Sequence, residues 1–175
     1  DENMSFVYTF SKLIKIKEKN FLSAMKSFSG LPHRFEIFLE KKGVIFINDS
    51  KATTFEATQL ALNSLKNIYW ILGGYPKNGD TIKVAKYKKK IIKCYIIGNN
   101  TSFFKNQIKG KLNFLITRNL KNSITQIFKE IKFQNNEKKS ILLSPSAASF
   151  DQFKNFEKRG DEFKRLCKQY ARKFN

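Results

Sequence analysis

The sequence predicts an α/β fold, in which a mostly parallel sheet is flanked by helices. Apolar runs of strand length alternate with helix-length amphipathic segments from residue 44 to the end of the chain. Turn-forming or polar residues follow four of these runs, at Asp49, Gly73, Gly98 and Ser144. Ligands of open α/β sheets bind beyond the carboxyl ends of the strands, so we expect a site near these four positions.

The first 28 residues predict two helices and not part of the sheet. Apolar residues recur there at helical spacing, first Phe6, Val7, Phe10, Leu13 and Ile14, and then Phe21, Leu22, Met25 and Phe28. The segment 30–34 contains glycine and proline, which end this periodicity. We therefore predict a linker there, with a boundary near Ser29 that separates residues 1–28 from a domain of residues 29–175.

The remaining elements follow from short apolar runs and the breaks between them. Two strands around Lys42-Gly43 predict an antiparallel hairpin or strand pair at the edge of the sheet. Predicted strands span 35–39, 44–47, 68–72, 91–97, 112–116 and 140–143, and predicted helices span 54–65, 102–108, 120–133 and 153–174. The whole is a Rossmann-like sheet with an N-terminal helical extension.

The composition indicates one folded domain with a strongly basic surface. The chain has 175 residues, 41% of them hydrophobic, and a formal net charge of +20. Its lysines are spread along the chain and arginine is scarce, which favours a solvated lysine surface over a nucleic-acid groove. A stand-alone basic α/β module that binds nucleic acid or phosphorylated ligands stays open as an alternative.

Cellular location is indicated by what the sequence lacks. No run approaches the roughly 18 apolar residues of a membrane span, and the first residues are acidic, unlike a signal peptide. Cys94 and Cys167 lie far apart and predict reduced thiols. We expect a cytoplasmic protein without a membrane partner, and we expect the chain, which begins at Asp1, to be a piece of a longer protein.

Two segments combine hydroxyl and lysine side chains at strand-to-helix junctions. They are residues 48–53, which include Lys51 and Thr53, and residues 143–156, which include Ser149. Backbone N–H groups and the helix dipole favour anions at such junctions, so both predict carboxylate or phosphate binding. Alternatively, the hydroxyls of Thr53 and Ser149 cap the helices, since Thr-x-x-Glu and Ser-x-x-Gln are capping-box patterns.

Three further features have both a functional and a structural interpretation. The turn 73–80 lets the backbone approach a ligand closely while Lys77 adds a charge, but taken alone this feature is better explained as a surface turn. Arg34 is suited to phosphate, or to an ion pair with Glu36 or Asp49. His33, the single histidine, lacks partners at zinc-ligand spacing.

Four motifs occur in order along the chain: Gly30-Leu31-Pro32-His33-Arg34, Asn48-Asp49-Ser50-Lys51-Ala52-Thr53, Gly73-Gly74-x-x-Lys77, and the stretch from Leu143-Ser144-Pro145 to Phe156-Glu157-x-Arg159-Gly160. Together they resemble the C-terminal part of the Mur ligase family, in the branch that adds D-glutamate. Threonine at position 54 and Ser146-Ala147 depart from the more usual asparagine and Ala-Cys. A sister ligase that adds another amino acid stays open.

The resemblance implies a cytoplasmic three-domain enzyme of peptidoglycan synthesis, monomeric when complete, that joins D-glutamate to UDP-N-acetylmuramoyl-L-alanine. ATP and Mg²⁺ are then bound mainly by a central domain, of which residues 1–28 are the closing helices, and the UDP-sugar by an N-terminal domain. The fragment alone is expected to be inactive, and no nucleic acid is expected as a partner.

The resemblance also implies roles for individual residues. By motif, the D-glutamate site comprises Thr53, Lys77, Ser149 and Phe156. The nucleotide-facing residues are Asn3, Arg34, Asp49 and Lys51, with Arg34 and Lys51 as the catalytic pair and no metal ligand in this chain.

Overall fold

The computed structural model describes residues 2–131 and 137–173. It divides the chain into two compact units, Asp1–Gly30 and Leu31–Asn175. The assignment of residues 1–28 to a central domain stays a prediction.

The first unit consists of two helices, α1 (Glu2–Leu13) and α2 (Glu18–Ser27). The rings of Tyr8 and Phe21 meet edge to face at 5.2 Å between centroids. Most of its apolar side chains face solvent, including Phe6 at 73% exposure and Leu13 at 75%.

The second unit is built on a six-stranded sheet. Its strands are β1 (Glu36–Lys41), β2 (Val44–Asn48), β3 (Ile68–Gly73), β4 (Ile91–Ile97), β5 (Phe114–Arg118) and β6 (Lys139–Leu143). The strand order is β1-β2-β6-β3-β4-β5. Only β1 is antiparallel, at one edge, and it pairs with β2 through the Lys42-Gly43 turn. Both turn residues have positive φ, which suits a tight hairpin, so the predicted edge hairpin is confirmed.

Four α-helices cover the two faces of this sheet. They are α3 (Phe55–Ser64), α4 (Thr101–Ile108), α5 (Leu120–Glu130) and α6 (Phe156–Ala171). One core contains Leu62 of α3, Phe104 of α4 and Trp70 of the sheet. The other contains Ile124 of α5 and Phe163 of α6. The predicted Rossmann-like architecture is therefore confirmed.

Some predicted boundaries differ from the structure. Strand β5 begins at Phe114, two residues later than predicted, and α6 begins at Phe156, three residues later. Helices α5 and α6 end at Glu130 and Ala171, before the predicted ends at 133 and 174. Within residues 2–131 and 137–173, no helix has the length and apolar character that a bilayer crossing requires.

The position of β6 determines which loops lie next to one another. The chain reaches β6 last, yet β6 lies between β2 and β3 and is parallel to both. The loops that follow these three strands therefore emerge side by side at the carboxyl edge of the sheet. The hydrogen bonds that join them there include those from the Asp49 N–H to the Leu143 carbonyl (2.8 Å) and from the Gly73 N–H to the Pro145 carbonyl (2.9 Å).

Candidate functional site

The loop after β2 presents Lys51 and Thr53 just before α3. Backbone bonds fix it, from the Lys51 N–H to the His33 carbonyl (3.0 Å) and from the Ala52 N–H to the Asp49 carbonyl (2.9 Å). The N-cap of α3 is Thr54, whose hydroxyl accepts the Ala57 N–H at 3.3 Å. The predicted capping box starting at Thr53 is therefore wrong by one residue.

The loop after β6 presents Ser149 and leads into α6. Ala148 forms a two-way backbone bridge with Tyr75 of the loop after β3. The cap of α6 is Asn155, whose side-chain oxygen accepts the Lys158 N–H at 2.9 Å. Ser149 instead closes a turn, because its carbonyl accepts the N–H groups of Gln152 and Phe153. The predicted capping role of Ser149 is wrong because the chain makes this turn before the helix begins.

The hydroxyl groups of Thr53 and Ser149 therefore do not cap a helix. Among the described residues, the side chains of Thr53 and Ser149 have no hydrogen-bond partner. Ser149 is nevertheless only 3% exposed. A hydroxyl that is not used by a cap is available to a ligand.

The predicted site residues fall into two cavities that share Lys51. Arg34, Asp49 and Lys51 line a cavity of about 240 Å³ against α3. Lys51, Thr53, Ser149 and Phe156 line a second cavity of about 500 Å³. The structure thus brings together the three nucleotide-facing residues whose side chains it describes, and three of the four residues predicted for D-glutamate.

Two predicted residues do not join these groups. Lys77 is exposed and lines a different cavity, with Thr54, Phe55 and Asp80 among its neighbours. Its loop is tied to the site at Tyr75, but a tight turn from Lys77 to Asp80 follows. The side chain of Asn3 lies outside the described residues.

Asp49 is largely buried, at 8% exposure, beside two cations. Burial raises its pKa above the ordinary value, while the Ser144 hydroxyl, the Phe35 N–H and the charge of Arg34 act in the opposite direction. Arg34 is exposed and, within the described part of the chain, forms no ion pair with Glu36 or Asp49. Its guanidinium is therefore available to an anion.

Arg159 of α6 connects the loop after β2 with the loop after β6, a role that the sequence did not predict. Its Nε donates to the Ser50 hydroxyl at 3.0 Å, and its Nη2 donates to the carbonyls of Ser50 (2.8 Å) and Ala147 (3.0 Å). Arg159 is 1% exposed, and this burial lowers its pKa to about 10. Its position in the fourth motif was the only indication in the sequence that Arg159 matters. Its partners could not be predicted, because Ser50 lies 109 positions away.

The turn that carries Arg34 is docked on α6 and is not an open linker. His33 is 7% exposed, and its Nδ1 lies 2.9 Å from Asn48 Nδ2. Because the amide nitrogen can only donate, Nδ1 is the acceptor. A Cβ at Gly160 would collide with His33 Nδ1, so glycine allows this close approach. The predicted linker at 30–34 is therefore wrong from His33 onward.

The side chains around the first cavity have the charges and acceptors of a polar ligand site. Arg34 and Lys51 have the charge for phosphate groups, and Asp49 has acceptor oxygens for hydroxyls. Within residues 2–131 and 137–173, no group of three or more His, Cys, Asp or Glu side chains is placed to hold a metal ion.

Comparison with known proteins finds a shared fold and relatives in sequence. No protein-family model matches the chain. Its fold is similar to that of a bifunctional folylpolyglutamate synthase/dihydrofolate synthase from Yersinia pestis CO92, with a TM-score of 0.56 and 12% identity over 86% of this chain and 34% of that one. At this level of identity the similarity is one of fold.

Curated relatives are closer in sequence. The UDP-N-acetylmuramoylalanine--D-glutamate ligase of Wolbachia sp. subsp. Brugia malayi (strain TRS) is 39% identical over 173 residues, which is 99% of this chain and 34% of the relative. The enzyme of the same name from Rickettsia felis (strain ATCC VR-1525 / URRWXCal2) is 38% identical over 97% of this chain and 38% of the relative. The chain spans about a third of the length of these relatives.

The chain is therefore a homologue of the C-terminal part of the UDP-N-acetylmuramoylalanine--D-glutamate ligases, which confirms the predicted resemblance.

Proposed function

We propose that this chain is the D-glutamate-binding C-terminal domain of an ADP-forming ligase. The complete enzyme joins D-glutamate to UDP-N-acetylmuramoyl-L-alanine in peptidoglycan synthesis. The observation that carries the proposal is the convergence of the unbonded hydroxyls of Thr53 and Ser149 with Lys51 and Phe156 around one cavity. The names of the relatives support the choice of amino acid.

The chemistry of this cavity complements D-glutamate. A dicarboxylic amino acid needs hydrogen-bond donors and positive charge at its two carboxylates, and apolar contact along its methylenes. Thr53 and Ser149 supply hydroxyl donors, Lys51 supplies charge, and the Phe156 ring offers the apolar surface. Lys77 would add a second ammonium if its loop closes over the bound amino acid.

The neighbouring cavity is suited to the nucleotide side of the reaction. Arg34 and Lys51 would neutralise phosphate charge, and Asp49 would accept hydrogen bonds from ribose hydroxyls. ATP activates the alanyl carboxylate as an acyl phosphate, which the D-glutamate amine attacks with loss of phosphate. Catalysis of this kind depends on alignment and on charge stabilisation, which fixed cations provide. We assign ATP and Mg²⁺ binding mainly to parts of the enzyme outside this chain.

Kinetics of the complete protein that contains this chain test the proposal. We expect Thr53→Ala and Ser149→Ala each to raise the D-glutamate KM by about tenfold or more, since each removes a bond to a charged ligand. Lys129→Ala is the matched control, because Lys129 is exposed on α5 and lines neither cavity. An unchanged KM in both hydroxyl variants would refute the site.

Two further measurements refine the proposal. Lys77→Ala should also raise the D-glutamate KM, and an unchanged value would remove Lys77 from the site while leaving Thr53 and Ser149 in place. A panel of amino acids assayed with the same enzyme decides between D-glutamate and another substrate.

A further inference from the structure

Both oxygens of the Asp49 carboxylate are already held by the protein. Oδ1 accepts the Phe35 N–H at 3.1 Å, and Oδ2 lies 2.7 Å from the Ser144 hydroxyl oxygen. A carboxylate has about four lone-pair positions, so about two stay available to a ligand. The two bonds fix which positions those are.

The Ser144 hydroxyl is the first of three that are connected in series. Its Oγ lies 3.0 Å from Thr58 Oγ1, which in turn lies 2.9 Å from Ser146 Oγ. Ser144 and Thr58 are fully buried, and Ser146 is 2% exposed. The series thus connects the start of α3 and the loop after β6 to the carboxylate.

Proton counting gives the series a direction. Each hydroxyl has one hydrogen, and an ionised carboxylate can only accept. Ser144 donates to Asp49, and Ser146 donates to Thr58. Because the single Ser144 hydrogen is used by Asp49, the 3.0 Å contact between Ser144 and Thr58 requires the Thr58 hydrogen. Bonds aligned in this way polarise one another, so the last one is strengthened by those before it.

The backbone at Ser146 indicates that its orientation is imposed. Its φ is +55°, a conformation that costs a residue with a side chain roughly 1 kcal/mol or more. The Ser146 N–H donates to the Ala52 carbonyl at 3.0 Å, which ties this strained residue to the loop of Lys51 and Thr53.

We propose that Ser144, Thr58 and Ser146 are positioning residues that act in series on Asp49, because their hydroxyl groups form one directed chain of hydrogen bonds that orients its carboxylate and stabilises its charged form. The inference rests on the proposed function only for what Asp49 binds. Ser146 lies on the same loop as Ser149, yet through this series it would influence the Asp49 carboxylate in the cavity lined by Arg34.

Titration of the Asp49 carboxyl carbon by NMR, in the 175-residue chain without ligand, tests the proposal. The charged groups beside Asp49 are Arg34 and Lys51, and all variants retain both. Ser144→Ala should raise the titration midpoint. Thr58→Val and Ser146→Ala should raise it by less, and Thr58→Ser should restore the wild-type midpoint because the hydroxyl returns.

The control is another buried hydroxyl pair. Ser123 is fully buried on α5, and its Oγ lies 2.7 Å from Thr117 Oγ1, outside the series. Ser123→Ala should leave the midpoint unchanged. If Ser146→Ala does not fold, Ser146→Gly removes the same hydroxyl and also accepts a positive φ.

Two results would overturn the proposal: a wild-type midpoint in Thr58→Val and in the Ser146 variant, or an equal shift in Ser123→Ala. Because no ligand is present, neither result depends on the D-glutamate KM that tests the proposed function.

Discussion

The ammonium group of Lys51 lies 3.9 Å from the centroid of the Phe156 ring. Lys51 comes from the loop after β2 and lines both cavities, whereas Phe156 is the first residue of α6 and lines only the second. The contact therefore links the side of the site assigned to phosphate with the side assigned to D-glutamate. A substitution of Phe156 should therefore affect ligand binding in both cavities, because it changes the environment of Lys51.

The first prediction concerns this contact. A double-mutant cycle with Lys51→Met and Phe156→Leu should show a coupling free energy of about 0.5–1 kcal/mol in urea unfolding, the usual size of a cation–π pair near a surface. The pair Lys173 and Tyr170, with 5.9 Å between ammonium and centroid, should couple more weakly. Additive effects of the Lys51 and Phe156 changes would contradict the prediction.

The second prediction separates two neighbouring threonines. Thr54→Ala should lower the free energy of unfolding by about 1 kcal/mol, because Thr54 caps α3. Thr53→Ala should lower it by less than about 0.5 kcal/mol, because its hydroxyl stabilises no helix end. Urea unfolding of both variants checks this, with Thr54→Ser as the control that keeps the cap. Equal destabilisation by the two alanines would favour the original capping box.

The third prediction concerns Arg159. Arg159→Met should lower the free energy of unfolding by more than about 2 kcal/mol, because it leaves buried carbonyls of Ser50 and Ala147 without donors. Arg159→Lys should recover only part of this loss, since an ammonium lacks the planar fork of a guanidinium.

Arg165 provides the matched control for Arg159 on the same helix. It is exposed and pairs with Glu162 at 2.7 Å. Arg165→Met should leave the urea midpoint nearly unchanged. If Arg159→Met and Arg165→Met lower the free energy of unfolding by similar amounts, the hydrogen bonds of Arg159 to Ser50 and Ala147 make no specific contribution to stability.

The fourth prediction is a dependence on pH. Partial burial tends to raise the pKa of Glu36, but the His33 N–H, the Lys164 ammonium and the Asn48 amide together hold it below its ordinary value of 4.5. A carboxyl with a lowered folded pKa contributes stability that is present above the unfolded value and is lost as the pH falls through the folded value. Wild type should therefore exceed Glu36→Gln in stability at neutral pH, and this difference should shrink in acid.

Urea unfolding of both proteins from about pH 7 to about pH 3 measures that difference. Glu40→Gln is the control on the same strand, because its pair with Lys138 is longer, at 3.8 Å, and exposed. It should change stability at neutral pH by less than about 0.5 kcal/mol. A wild-type advantage over Glu36→Gln that stays constant with pH would count against the prediction.

Local patterns in the sequence determined most of the elements and the edge of the sheet where a site forms. Alternating apolar runs gave the strands and helices, and Lys42-Gly43 gave the hairpin, because both depend on neighbouring residues. The capping boxes failed because a short motif can also fit near a helix start: Thr53 lies one residue before the true N-cap of α3, and Ser149 lies six residues before that of α6. The backbone conformation decides which residue is the cap.

Tertiary structure alone decided which side chains meet. Strand β6 enters between β2 and β3, so Ser144 reaches Asp49 across 95 positions of sequence, and Arg159 reaches Ser50 across 109. The same packing put Lys77 on a separate cavity and left Arg34 exposed. The spacing of residues along the sequence does not reveal the order in which parallel strands pair. That order determines the distances between the residues of this site.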